Sequence, residues 1–431
     1  MADPVSSVTY AIESALHALD GDLASLFLTM VAIIAIIAII AVTYHELIGR
    51  YPHGGGGAAA SAESFGEGTA FIPLGALLVD FTLTVAVSAA AGASALIAYA
   101  PGLESVRTPL ALLLACLVAG IVLLGHRGRV VLAAATLLFI AFAAIVVVAA
   151  LGTSPGEGGG GSAGGGTPLL ADARLGAVLL AIPLGMALAT GVESPSDSIA
   201  QLPELEDPDR IRFGRGTLWL MVVIVGSLTI GLAGAAVHLG TGLPPADSTL
   251  LAEVARKAVG GGALFAGFQA ASALLLLSAA ASAYLAGSGV LKALATLGGG
   301  DQGLVPSRFG ETNRFLVPPL GVALVLVIAL ILVAAAGGFE QHLVDYYAVA
   351  VFASFLAATL GCARLSHRDG RRLALVFNLL GAILSAYILV VNVTRIQGLI
   401  ALLTALAVAG YLRLMWVRRG RPSGVAGASA A

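Results

Sequence analysis

Charge is scarce in this chain. Only 11% of its 431 residues are Asp, Glu, Lys or Arg, against 58% hydrophobic residues and a mean hydropathy of +0.99. A water-soluble fold cannot enclose that much apolar surface, so a soluble enzyme or binding module is excluded and a lipid bilayer is the expected partner. Cysteine is almost missing as well: Cys116 and Cys362 both fall inside apolar runs, so no disulfide framework is implied. No basic region precedes the first apolar run, where Met1-Ala2 is followed by the acidic Asp3, and no signal peptide is read there. The net charge of −2 argues neither for nor against nucleic acid, and no nucleic-acid partner is expected.

Long apolar runs are what the chain has in abundance. Spans are expected near 23–44, 69–99, 108–125, 130–151, 217–239, 262–290, 316–336, 343–363, 373–394 and 397–417. Two further runs, near 1–18 and 169–202, are more polar and interrupted. The fold class is therefore an all-α integral membrane protein of twelve transmembrane helices, a single domain over 1–417 followed by a cytoplasmic tail at 418–431. With the N-terminus placed in the cytoplasm, alternation puts 17 of the 22 Lys and Arg residues inside. The other five, Arg107, Arg174, Arg256, Lys257 and Arg395, fall outside. Such a split predicts a multi-pass protein with both termini cytoplasmic. The Gly-rich run 156–166 reads as a flexible external linker. The run Tyr51-Pro-His-Gly-Gly-Gly-Gly57 lacks the Gly-Lys-Ser/Thr ending of a phosphate loop, which argues against nucleotide binding.

Polar residues inside the spans are few enough to weigh singly. Asp3, Ser6, Ser7 and Tyr10 are spaced i, i+3, i+4 and i+7, one face of a helix that Pro4 and two serines are expected to interrupt. Asp80, Thr84 and Ser88 step by four through an otherwise apolar helix. Thr190, Gly191, Glu193, Ser194 and Pro195 follow some twenty apolar residues and place a carboxylate beside a helix breaker. Serine and threonine in a membrane helix often bond only the preceding turn. Packing alone rarely retains an acid there, so Asp80 and Glu193 are functional candidates. Interrupted segments heading two five-helix halves, about 1–151 and 169–363, fit a secondary transporter with inverted repeats, with helices 11 and 12 at 373–417 appended.

At these residues the sequence resembles the amino acid–polyamine–organocation superfamily, and more narrowly the KimA-type potassium importers. The resemblance runs through essentially the whole chain. Its most specific pieces are Asp3 to Tyr10, Tyr51 to Gly57, Asp80 to Gly92 and Thr190-Gly191-Val192-Glu193. Fainter pieces are Gly303 to Phe309 and Tyr347-Ala348-Val349. It implies a LeuT-like 5+5 inverted repeat with discontinuous helices 1 and 6, and proton-coupled potassium uptake across the plasma membrane. It also implies an ion path lined by Asp3, Tyr10, Asp80, Thr84, Ser88, Thr190, Glu193 and Tyr347. Potassium is then expected at Asp3, Asp80, Thr84 and Ser88, with Glu193 as the proton-coupling residue. Three departures stand out. Phe81 replaces a tyrosine of those importers; the chain ends soon after Arg421, where they continue into a nucleotide-sensing domain; and it starts two residues before Asp3. No response to cyclic dinucleotides is expected on that ground.

Two substrate classes share this fold. Amino acid carriers of the superfamily present glycine-rich backbone at the first break, where amides receive a carboxylate. Here that break holds Asp3, Pro4 and serines and no glycine. Pro4 removes an amide and Asp3 repels a carboxylate, so a small cation is favoured, with an amino acid or polyamine as the alternative. Attraction between unit charges at 4 Å is about 4 kcal/mol at a surface-like dielectric, enough to offset dehydration only where several oxygens converge. An intramembrane enzyme is not indicated. His45-Glu46-Leu47-Ile48-Gly49 lacks the second histidine of a zinc-protease helix, and no Gly-x-Gly-Asp or Gly-x-Ser-Gly motif lies in a span. No cofactor is expected beyond a bound potassium ion and a coupling proton. The assemblies compatible with the sequence include a homodimer.

Overall fold

The computed structural model describes residues 2–155, 174–199, 204–297 and 303–430. Among them the chain forms α-helices and short 3₁₀ turns and no strand. In order these are α1 (Ala2–Ser6), α2 (Val8–Ala18), α3 (Leu23–Arg50), α4 (Gly56–Phe65), α5 (Phe71–Tyr99) and α6 (Arg107–Leu123). Next come α7 (His126–Gly152), α8 (Leu175–Gly185), α9 (Ser194–Ser198), α10 (Asp207–His238) and α11 (Leu250–Val259). The remainder are α12 (Ala263–Thr296), α13 (Pro319–Ala335), α14 (Glu340–Arg368), α15 (Arg372–Val393) and α16 (Ile396–Arg418). Ten segments among the described residues are long and apolar enough to cross a membrane. The two other expected spans fall short: α13 has 17 residues, and the first helix is divided into pieces of 5 and 11. The Gly-rich run 156–166 lies outside the described residues.

The two expected interruptions differ in depth. At Ser7 the backbone stays close to helical (φ −62°, ψ −25°), while the Ser7 amide to Asp3 carbonyl and Tyr10 amide to Ser7 carbonyl bonds stretch to 3.4 Å. The first break is thus a loosened turn. The second is a true departure: α8 tightens into a 3₁₀ turn at Met186–Ala189, Thr190 is extended, and Gly191 takes φ +81° before α9 begins. Pro195 sits in the first turn of α9, where its missing amide hydrogen has no helical partner to lose.

The helix α5 runs through the middle of the bundle, packed by α6, α12, α13, α14 and α16. Its stretch Ser88-Ala-Ala-Ala-Gly-Ala-Ser-Ala95 is wholly buried. Small side chains there let neighbouring backbones approach, which is how helices gain van der Waals contact when lipid removes the hydrophobic drive. On α15, Asn378, Ser385 and Asn392 recur every seven residues and are buried, while Leu373, Ile383 and Val390 on the other side are exposed. The polar stripe therefore faces protein and the apolar one is left for lipid.

One end of the bundle is rich in arginine. There Glu46 of α3 is buried and accepts from Arg50, Arg371 (2.7 Å), Ser366 and Asn378 (2.9 Å). Glu46 thus anchors α3 to α14 and α15, which accounts for the His45-Glu46 pair as structure. Arg368 meets Glu63 of α4 at 2.8 Å, and the Tyr51 hydroxyl donates to the same carboxylate at 2.6 Å. His53 meets Asp207 and Arg210 at the start of α10. The opposite end is closed by a second set of polar contacts. The Leu250 amide, opening α11, donates to Glu13 of α2 at 2.7 Å, a carboxylate at a helix N-terminus. Arg107 bonds Ser94 and the Ala246 carbonyl, Ser94 donates to Glu340 at 2.6 Å, and Ser14 donates to Gln341 at 2.6 Å.

Candidate functional site between the interrupted helices

The loosened turn between α1 and α2 and the break between α8 and α9 lie against each other. Ser7 Oγ is 2.7 Å from Thr190 Oγ1 and 3.0 Å from the Tyr10 hydroxyl. Gly191 supplies the closest approach, because a Cβ there would sit 2.8 Å from the Pro4 ring and 3.0 Å from Asp3 Oδ2. No side chain fits that gap, and φ +81° favours glycine independently. Asp3 is half-buried, yet its Oδ1 is enclosed and has no hydrogen-bond partner.

Across from this junction stands α5. Asp80, Thr84 and Ser88 are all buried, so the stripe expected from sequence does face the interior. Thr84 Oγ1 reaches the Asp80 carbonyl at 3.0 Å and the Tyr347 hydroxyl of α14 at 2.6 Å. Tyr347 in turn interacts with Thr190 and feels the charges of Asp3 and Asp80. Two hydroxyl groupings are thus bonded, Tyr10–Ser7–Thr190 across α2 and the break before α9, and Thr84–Tyr347 across α5 and α14, and they lie close to one another. Both carboxylate oxygens of Asp80 are buried without a partner, as are Ser88 Oγ and Glu193 Oε2. Asp3, Asp80 and Glu193 lie near enough to feel one another's charge, and no ion pair to any of them occurs among the described residues. Buried polar atoms are normally satisfied, so this many orphans around one junction mark a place built for something that is not protein.

Asp80 and Ser88 are two helical turns apart, about 12 Å of rise, so they line a path and do not share one coordination shell. Among the described residues no three His, Cys, Asp or Glu side chains converge as a metal cluster. Phe81 turns aside to pack against Gly287 of α12. Sequence reasoning passed over Ser7 as a site residue although it lies on the Asp3 stripe; its role as the hub needs the sixth helix alongside. A satellite cluster also went unseen: Tyr44 of α3, whose buried hydroxyl is unpartnered, lies near Glu193 and Asp197, beside the equally unpartnered Ser196. Tyr44 carried no signal in an apolar helix of 28 residues.

A sequence profile described as amino acid permease matches residues 4–412, nearly the whole of the described bundle. The chain belongs to the amino acid permease family. That family lies within the amino acid–polyamine–organocation superfamily, so the chain is a multi-pass membrane permease and not an enzyme. It is also similar to the potassium transporter KimA of Bacillus subtilis (strain 168), 28% identical over 367 residues. That match covers 84% of this chain and 59% of the relative's own length.

Proposed function

We propose that this permease is a secondary active transporter that takes up a small monovalent cation, potassium, in exchange for the dissipation of a proton gradient. The observation that carries the reading is the trio Asp3, Asp80 and Glu193, buried or half-buried around one junction with unpartnered oxygens. Three carboxyls in water-poor surroundings call for compensating positive charge, which protons and a cation both supply. Hydroxyls of Tyr10, Thr84, Ser88, Thr190 and Tyr347 offer neutral oxygens to a hard cation along the path between them. Potassium would pass from Asp3 to the Asp80, Thr84 and Ser88 stripe, with Glu193 taking a proton from outside as the cation loads and giving it up to the inside as the cation leaves, so that ion and proton move inward together. The loosened first helix and broken sixth helix fit a twelve-helix 5+5 inverted repeat, with the arginine-rich end and both termini facing the cytoplasm of a cell whose plasma membrane holds the protein. Similarity to a potassium transporter supports the same substrate.

The family match favours a second reading, in which a cationic amino acid or polyamine is drawn to the same acids. Uptake by proteoliposomes, measured for potassium, rubidium, amino acids and polyamines with and without an acidic outside, separates the two. Saturable potassium and rubidium uptake that rises with the gradient is the expected result. Gradient-driven uptake of an amino acid or polyamine, with none of either alkali cation, overturns the proposal.

A further inference from the structure

The glycine run 54–57 takes no part in the site, and the tail takes none either, yet the fold brings them together. Gly54, Gly55 and Gly56 all have positive φ (89°, 96° and 37°), so the loop before α4 is a tight left-handed turn. A Cβ on Gly55 would lie 3.0 Å from the carbonyl oxygen of Ala426, in the tail. A Cβ on the next residue, Gly56, would run into Asp197 Oδ1 and lie 2.8 Å from Ser196 Oγ, in α9. Two adjacent glycines are thus pressed between the tail on one side and the inner piece of the broken sixth helix on the other.

The tail is held there by its own contacts. After α16 the chain reverses at Gly420 and Arg421, the Arg421 amide donates to Trp416 O, and Trp416 Nε1 donates to Pro422 O, both at 2.9 Å. A last helical turn, Val425–Ala430, then enters a groove formed by α4, α5, α9 and α12. Val425 is 0% exposed and Ala428 2%, packed with Ala58, Phe71, Leu74, Val290 and Leu294. A positive-inside anchor would need only Arg418, Arg419 and Arg421 at the membrane surface. It gives no reason for uncharged residues beyond them to be buried.

We propose that residues 422–430 are a latch occupying its own docking groove: seated, they hold α4 against α9 and keep the inner piece of the sixth helix closed over the site. Only Val425 among residues 425–430 has a side chain larger than serine, so seating is weak enough to reverse. Release frees the Gly55–Gly56 turn, and with it α9. This inference rests on the site lying behind α9 and is indifferent to which substrate passes.

The test reads that closure directly. Cys116 and Cys362 are replaced by alanine, Ser196→Cys is introduced, and labelling of the purified protein by a hydrophilic maleimide is timed. Ser196 is 1% exposed, so labelling of the intact chain is expected to be slow. Deleting 425–431, or ejecting the segment with Val425→Glu, is expected to speed labelling at least about tenfold, the scale set by burying one valine side chain. Where the deletion fails a size-exclusion check of folding, Val425→Ser serves in its place. Amide exchange at 54–57 and 194–198 is followed in parallel, and both segments are expected to speed up together. Equal labelling rates in intact and released proteins overturn the latch, as does faster exchange at 54–57 with 194–198 unchanged. Substrate uptake enters neither measurement, so a failed potassium assay leaves this result standing by itself.

Discussion

Asp80 is the residue whose surroundings say most. Both of its carboxylate oxygens are buried and unpartnered, so no fold-holding bond depends on its charge. Asp80→Asn keeps the shape and removes the charge. It should leave insertion and the size-exclusion profile intact while weakening apparent potassium affinity at least about tenfold, the scale of one charge-assisted contact of about 1.5–3 kcal/mol. Unchanged affinity in rubidium-uptake titrations would make Asp80 structural. Glu193 asks a different question, because it closes the break that Gly191 and Thr190 open and senses Asp3 and Asp80 from there. Glu193→Gln fixes the equivalent of the protonated form. Binding should persist, whereas accumulation driven by an imposed pH gradient should be lost. A mutant that still concentrates substrate with wild-type dependence on the gradient would transfer the coupling role to Asp3 or Asp80.

At the scale of elements, the short helix α4 joins the breaks to the arginine-rich end. Its Glu63 lies outside the spans, and the Tyr51 hydroxyl, then Arg368, hold its carboxyl below the ordinary carboxylate range. An acid depressed in this way is deprotonated in the folded chain while the unfolded chain still takes up a proton. The stability it contributes is fully present above the ordinary carboxylate range and is lost as pH falls through the depressed value. Glu63 is partly exposed, so the contribution belongs to the surface-pair scale of about 0.2–1 kcal/mol. Protection of the α4 amides, exchange measured relative to the intrinsic rate at the same pH, should therefore fall between neutral pH and roughly pH 3, and Tyr51→Phe should flatten that dependence. An identical pH profile in the mutant would remove Tyr51 as the cause. Seen this way, the Tyr51 to Gly57 motif divides by residue: Tyr51 fixes α4, His53 reaches α10, and the glycines admit α9 and the tail.

For the molecule as a whole, hydropathy alone determined that the chain is a helical membrane protein, because twenty apolar residues in lipid have no alternative to internal hydrogen bonding. Polar stripes at helical spacing were legible in the same way: Asp80, Thr84 and Ser88 share a buried face because periodicity dictates it. The place of the second break was legible too, since Gly191 and Pro195 are local breakers. The depth of the breaks was not. Asp3-Pro4 with two serines reads as an interruption as strong as Gly191 to Pro195, yet neighbours from α10 and α12 keep the first nearly helical. Nor could the sequence show that Ser7 meets Thr190, 183 residues away, or that an uncharged tail is buried beside Gly55. Those contacts depend on which helices are neighbours. Hydropathy fixes how often a chain crosses lipid, but the identity of the partners across each helix face is set by close packing of small residues and by orphaned polar atoms finding one another, and only the tertiary structure decides that.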